Sequence, residues 1–352
     1  MRIGIDCRIL RQGQVTGIPN YVRNLTSELK KLETKHEFVF FDGPKGGVPF
    51  WSNHVSYAKQ IEKARLDLFH GPANTSPFFY KGKSIVTIHD LAIYKHPEWF
   101  PRGQWLATKV VVPNSIRKAD RIIVPSEATK RDVQELFGIR DEKIAVIAEG
   151  VESRFFEKSA ISDDKFQISK KYILFVGTLE PRKNLKRVIE AYEGLPAGLR
   201  NEYELWVAGK KMENVKIKMQ NDNAKSKIRF LGYVPDSELP GLYQNAAVFV
   251  YPSLYEGFGL PVLEAMAGGT PTICSKQIVG NFKFQISNDK SEPFIAVDPE
   301  SVEDLKNAMK RVLGDSQLAK QMGQKGVEMA RRFTWERAAR ETMRVYEENW
   351  SK

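Results

Sequence analysis

One stretch constrains this chain more than any other: residues 251–269, which read YPSLYEGFGLPVLEAMAGG. Before it, Ala246–Val250 is a short apolar run of the kind that makes a buried strand. After it, Thr270–Cys274 (TPTIC) reads as the next strand. Between the two the pattern is loop, then helix. Gly257 and Gly259 remove two Cβ atoms from the loop, so backbone can come close to a ligand. Pro261 suits the first helical position, where its missing N–H costs nothing. Val262, Leu263, Ala265 and Met266 supply helix, and Gly268 and Gly269 end it. Free N–H groups at a helix N-terminus that opens from a glycine loop form an anion site.

Two carboxylates frame that loop. Glu256 lies in it and Glu264 in the first helical turn, with seven residues between them. Glu264 alone reads equally well as ordinary decoration of a helix N-terminus. Acids on both sides of a glycine loop suggest more: one beside phosphates, the other within reach of a sugar hydroxyl. The Gly-x-Gly could also open a dinucleotide fingerprint. Position 262 is Val, however, so the third glycine of G-x-G-x-x-G is missing, and the motif lies deep in the chain.

At 352 residues the chain is too long for one ordinary core, and two domains are expected. Its 42% hydrophobic and 28% charged residues describe a globular protein. The first ten residues, MRIGIDCRIL, have a strand pattern with charges where a leader's apolar region would stand, so no secretory leader is expected. No apolar run has the length of a membrane span. Cys7 and Cys274 lie far apart and read as reduced core thiols of a cytoplasmic protein. The net charge of +11 fits anionic substrates, an anionic membrane surface, or simply a basic solvated face. No basic run interleaved with aromatics points to nucleic acid.

In the N-terminal half, Arg2–Cys7 is a strand that enters a loop with two glycines, Gln12–Gly17. Ile18–Leu32 follows as a helix, apolar at 18, 21, 22, 25, 29 and 32. Strand, glycine loop and helix can face a phosphate or can be an ordinary βα connection. Ser84–His89 is a continuous apolar strand of the parallel, doubly covered kind, ending in His89-Asp90. Ligand groups gather at the C-terminal ends of such strands, although a single histidine is more often structural. Asp90 orients His89 or caps the next turn; His70 and His96 read as structural. Gln104–Lys118 is an amphipathic helix with Lys109, Arg117 and Lys118, near Trp99, Phe100 and Trp105. It reads as core face plus solvated face, and is also a candidate surface for peripheral membrane or lipid-linked acceptor contact. Ser126 should cap a helix over 127–137.

Ser159–Ser169 is polar and short of large aliphatics, and marks the boundary between domains 1–160 and 161–334. Tyr172–Val176 is a new buried strand, followed by the loop Gly177–Asn184 (GTLEPRKN) and a helix from Leu185. Arg182 and Lys183 lead into that helix, where cations oppose the helix dipole by roughly 0.3–1 kcal/mol. A local rule broken in this way points to a functional site, because a bound diphosphate would reverse the sign. Ser301 should cap a helix over 302–313, and the chain closes with an amphipathic helix, 335–352.

Glu256-x7-Glu264 within PSLYEGFGLPVLEAMAGGTP closely resembles the signature of the retaining glycosyltransferases of family 4, which have the GT-B fold. TGIPNYVRNL, TIHDLAIYKHPEWF, GTLEPRKN and GYVPDSELPGLYQNA resemble other segments of the same family, so the likeness runs from Thr16 to Tyr346. It implies an α/β architecture of two Rossmann-like domains with parallel sheets facing across a cleft. The acceptor would lie in the first domain and the nucleotide-sugar donor mainly in the second, with the last helix crossing back to the first. It implies that Gly17 faces the donor phosphates and that His89 contacts the transferred sugar. Arg182 and Lys183 would stabilise the leaving diphosphate. The loops with Gly177, Thr178, Gly257, Phe258, Gly259 and Leu260 would cradle the donor, with Tyr233 and Val234 near its base. Glu256 would position the sugar and Glu264 the ribose hydroxyls.

The activity implied is metal-independent transfer of a hexose, mannose-type, from a donor such as GDP-mannose or a UDP-sugar, with no further cofactor. The acceptor would be a glycan or lipid-linked, at the inner face of the membrane. A GT-B sugar-nucleotide epimerase, a non-catalytic nucleotide-sugar binder and an anionic-membrane binder are the alternatives. Three departures stand out. Thr178 replaces a common arginine. Ala148-Glu149 replaces the more usual residues before Gly150. SKQIVGNFKF, from Ser275, replaces the usual Pro-Glu and Gly-Asp-Ala, which leaves the donor sugar open.

Overall fold

A computed structural model describes residues 1–12, 17–43, 52–100, 106–159, 166, 171–210, 227–282 and 293–350. Most of the 12–17 loop, most of the polar 159–169 stretch, Trp105 and the end of the altered segment from 283 lie outside the described residues. The chain forms two compact units: Met1–Gly150 with Thr334–Lys352, and Val151–Phe333.

The first unit holds a six-stranded sheet in the order β2-β1-β3-β4-β5-β6, parallel throughout. Its strands are β1 (Arg2–Asp6), β2 (Glu37–Phe41), β3 (Leu68–Gly71), β4 (Ser84–Thr87), β5 (Arg121–Val124) and β6 (Ile144–Val146). All four residues of β3 and of β4 are buried, which is why these strands read as unbroken apolar runs. Helix α1 (Ile18–Lys31) buries Tyr21, Val22, Leu25 and Leu29, the stripe that its 3.6-residue period predicts. The amphipathic helix expected over 104–118 runs unbroken through its described residues, 106–118, with a π-helical turn inside it. That turn, Ala107–Val111, runs into α2 (Val112–Lys118), where Pro113 supplies no N–H. In α3 (Glu127–Phe137) the Ser126 side chain accepts the Thr129 N–H, and Gly138 ends the helix in the left-handed conformation.

The second unit is built on the sheet order β12-β11-β10-β7-β8-β9, again all parallel. The strands are β7 (Lys171–Val176), β8 (Tyr203–Ala208), β9 (Ile228–Gly232), β10 (Val248–Tyr251), β11 (Thr272–Ser275) and β12 (Phe294–Val297). Helix α4 (Leu185–Glu193) follows β7, α5 (Leu239–Gln244) precedes β10, α6 (Leu260–Ala267) follows it, and α7 (Lys276–Phe282) follows β11. One apolar core joins β7, β8, β10 and α4 to the helix Val302–Gly314, which Ser301 caps by accepting the Asp304 N–H.

The units divide ten residues before the boundary expected from composition. The reason is that the intervening residues bond into the second unit. Val151 N–H donates to the Phe333 carbonyl (3.0 Å), Arg154 to the Asp236 carbonyl (2.5 Å) and Ser159 N–H to Gln244 (2.9 Å). Phe155 meets Tyr243 edge-on at 5.9 Å. The last helix, α8 (Trp335–Trp350), belongs to the first unit. Its Trp335, Ala339, Met343 and Tyr346 share a core with Tyr21, Leu25, Ile123 and Ile147. Among the described residues no helix is long and apolar enough to cross a membrane.

Candidate active site

In the second sheet the chain leaves β7 towards β8 and leaves β10 towards β11, in opposite directions. A crevice opens at such a switch point, beyond the strands' C-terminal ends. Gly177 follows β7 there, and Tyr251 ends β10. The basic pair and the first glutamate of the opening motif meet in this place, more than seventy residues apart in sequence.

Glu256 is the centre of the cluster. Its Oε1 accepts from Lys183 Nζ (2.5 Å), Ser253 Oγ (2.6 Å) and Tyr251 Oη (2.9 Å); its Oε2 accepts from Arg182 Nη1 (3.1 Å). Lys183 also donates to Tyr251 Oη (2.6 Å), and Arg182 pairs with Glu180 (2.6 Å). Burial would push the Glu256 carboxyl up, but the Lys183 and Arg182 charges and these hydrogen bonds overcome it and bring it down to about 2. Burial pushes the Lys183 amine below its ordinary value, against the pull of Glu256. The conflict between two cations and a helix N-terminus is therefore answered inside the protein, by carboxylates. Glu256, expected to reach towards a sugar, is engaged here by four donors.

The backbone supports the cluster. Asn184, the cap of α4, lies in the left-handed region (φ 63°), and its amide donates to the Pro252 and Pro299 carbonyls. Leu254 N–H and Ser253 Oγ both donate to the Arg182 carbonyl, stitching the two loops together. Gly259 opens α6 at φ 114°, and a Cβ there would come within 2.9 Å of Ile278 on α7. Pro261 stands second in the helix, not first. Glu264 therefore lies one turn in rather than in the first turn. It accepts from Tyr243 Oη (3.0 Å), and burial pushes its carboxyl up to about 7 against that hydrogen bond and the Arg154 charge. Phe258 is buried, Leu260 partly so, and Thr178 exposed. Tyr233 is 58% exposed and Val234 is buried. From the altered segment, Asn281 donates to the Glu256 (3.2 Å) and Phe258 (3.0 Å) carbonyls, holding the glycine loop from behind.

In the first unit Gly17 caps α1 at φ 65°, exposed and with open space around its Cα. His89 lies just past β4, buried. Asp90 does not orient it; the Asp90 carboxylate accepts the Ala92 N–H and caps the turn. The partner of His89 is Glu149, at 3.2 Å, sixty residues on. Tyr251, Ser253, Tyr243, Asn281 and Glu149 were not singled out as site residues by sequence. Tyr251 and Ser253 stand five and three residues before Glu256, where the pattern shows only a strand end. Glu149 was visible as a departure without a function. Among the described residues no group of three or more His, Cys, Asp or Glu is placed to hold a metal ion.

Two units, each built on a doubly wound six-stranded parallel sheet, are the architecture of the GT-B class. Solved structures share it along the whole chain. Sucrose-phosphate synthase from Thermosynechococcus elongatus matches with a TM-score of 0.75 at 20% identity, covering 100% of this chain and 99% of that one. Anabaena Alr3699/HepE in complex with UDP and glucose matches with a TM-score of 0.72 at 16% identity, covering 99% and 100%. The model of glycosyl transferases group 1 matches residues 158–329, and that of glycosyltransferase family 4 matches residues 22–155. O-antigen chain mannosyltransferase B of Escherichia coli is 30% identical over 292 residues, 79% of this chain and 74% of that protein. Other matched mannosyltransferases are longer, and the chain spans about a third of them (33% and 32%). The chain belongs to glycosyltransferase family 4, the group 1 glycosyl transferases, and is a transferase of that kind.

Proposed function

We propose that this glycosyltransferase moves a hexose of the mannose type from a nucleotide-sugar donor, GDP-mannose or a UDP-sugar, to a glycan or lipid-linked acceptor in cell-surface polysaccharide synthesis. The anomeric configuration is retained. The observation that carries the reading is the Arg182–Lys183–Glu256 cluster at the switch point of the second sheet. Two cations in a largely buried cluster are matched to a leaving diphosphate, and their present counter-ions are the Glu256 carboxylate, shared by both, and Glu180 on Arg182. The mannosyltransferase relative supports the sugar, and the HepE complex with UDP supports the donor class.

In this reading Arg182, Lys183 and the N-terminus of α6 neutralise the charge that grows on the leaving diphosphate, the task Mg²⁺ performs in other transferases. Phosphate arriving at the cations releases Glu256, which turns to the sugar hydroxyls; His89 is read as a further contact of the transferred sugar. Glu264, ionised, accepts from the ribose hydroxyls. The acceptor oxygen attacks from the side of the leaving group, its proton passing to a phosphate oxygen. The work is cytoplasmic, at the inner membrane face when the acceptor is lipid-linked. Phe79, 45% exposed, and Lys118, over the Phe78 ring at 5.4 Å, supply an apolar and basic surface suited to that contact.

Thermal shifts with GDP-, UDP-, dTDP- and ADP-sugars test the donor: one nucleotide should raise the melting temperature, and no shift with any of them overturns the reading. Replacing Arg182 and Lys183 together by Ala should cut turnover by about a hundredfold or more. Near-native turnover would remove the basic pair from the mechanism.

A further inference from the structure

The strand ends of the first sheet carry a buried pair, His89 and Glu149, of which the steps above use only the histidine. His89 is 8% exposed and Glu149 6%. The ring's Nδ1 lies 3.2 Å from Glu149 Oε1, and its Nε2 lies 2.8 Å from the Pro72 carbonyl. A carbonyl can only accept, so Nε2 carries a hydrogen. A carboxylate also accepts, so the Nδ1–Oε1 contact is a hydrogen bond when a second hydrogen is held there. Both ring nitrogens thus face acceptors, the geometry suited to a ring with a hydrogen on each.

The ring is boxed in. The edge of Tyr21 stands against it at 4.5 Å and 82°, and the His89 N–H donates to Asn74 Oδ1 (2.8 Å). Behind Tyr21 runs a buried chain of hydroxyls and imidazole: Tyr21 Oη to Thr87 (3.3 Å), Thr87 to His70 (2.8 Å), His70 to Tyr346 (2.6 Å). A buried ion pair of this kind is no better for stability than apolar packing of the same volume. Its place, beyond the strand ends where ligand groups gather, gives it another use.

We propose that Glu149 is a positioning residue for sugar transfer. It keeps a hydrogen on Nδ1 of His89 as well as on Nε2, so that Nε2–H, the donor that a substrate oxygen takes over from the Pro72 carbonyl, belongs to a charged ring and is the stronger donor for it. This rests on the reading of His89 as a group that meets the transferred sugar.

Glu149→Gln separates the hydrogen from the shape. The glutamine amide can donate to a bare Nδ1, leaving the ring in place and Nε2–H intact, but the hydrogen on Nδ1 is lost. The measurements are nitrogen-15 NMR of histidine-labelled protein, with His89 assigned through His89→Gln, and steady-state transfer kinetics. The native protein should show a slowly exchanging hydrogen at Nδ1 of His89, absent in Glu149→Gln. In that variant kcat should fall about tenfold or more, with KM for the donor within about threefold of native and an unchanged melting temperature. A bare Nδ1 in the native protein overturns the proposal whatever the variant does. So does native kcat in Glu149→Gln when His89→Gln is impaired. Native kcat in both variants instead removes His89 from the reaction, and this proposal with it.

Discussion

Replacing Glu256 by Gln tests the charge cluster most directly. The carboxyl is held at about 2 against an ordinary 4.5. At about 1.4 kcal/mol per unit, the ionised carboxylate contributes about 3 kcal/mol to the folded second unit at neutral pH. The folded value is depressed, so this contribution is present above pH 4.5 and is lost as the pH falls from there towards 2. Removing the charge also leaves the buried Lys183 without its carboxylate, while Arg182, partly buried, keeps Glu180; losing one partner of a buried pair costs about 3–5 kcal/mol generally. Glu256→Gln should therefore lower the melting temperature of the second unit by about 6–12 °C at pH 7, and by less as the pH is brought down. Lys183 of the variant then lacks its counter-ion, so millimolar inorganic phosphate or nucleoside diphosphate should recover part of the loss, and more than it stabilises the native protein. Scanning calorimetry with and without each anion reads both effects. A melting point unchanged by the substitution, or a loss that no anion recovers, would refute the reasoning that Glu256 occupies the place of a phosphate.

Three further outcomes follow from the same geometry. Glu264 holds its proton up to about pH 7, and two ribose hydroxyls need the ionised form. Nucleoside diphosphate affinity should then rise through pH 7 with proton release, seen by titration calorimetry in buffers of different ionisation heat, and Glu264→Gln should flatten the slope; an opposite slope sinks the assignment. Gly259→Ala places a methyl against Ile278 at a φ of 114°, which costs about 1–3 kcal/mol, so both melting temperature and nucleotide binding should drop, and unchanged values would contradict the strained loop. Tyr346→Phe removes the 2.6 Å bond to His70, an imidazole that burial holds down to about 3 and that therefore stays neutral. It should cost about 1–2 kcal/mol in denaturant unfolding while leaving nucleotide binding by the second unit intact.

The apolar runs at 84–89, 172–176 and 246–250 made the parallel sheets legible, because strands covered on both faces leave no polar alternation to misread. The basic pair was legible for a different reason: it broke the helix-dipole rule, and that conflict pointed to an anion. What the sequence did not show is which anion stands there. Glu256 is separated from Lys183 by 73 residues, and only the order of β7 beside β10 brings them within 2.5 Å. The partner of His89 was hidden in the same way. Asp90, its neighbour in sequence, turns to the Ala92 N–H, while Glu149 arrives from β6 across the sheet. Glu264 was misplaced by one residue, enough to take it out of the first turn, because Gly259, in the left-handed region, starts the helix at Leu260 and leaves Pro261 second.

The division of the chain sets an order of events during synthesis. Val151–Phe333 is continuous, and everything its core needs has emerged once Phe333 has. The first unit must wait for Thr334 onwards, because Trp335, Met343 and Tyr346 complete the core that Tyr21, Leu25 and Ile147 begin. At about 5–20 residues per second, the ribosome takes roughly 10–40 s to add the second unit after Gly150. For that time the N-terminal sheet has one apolar face without its cover. The first half made is the last to be finished, and it is the half for which a nascent chain needs protection.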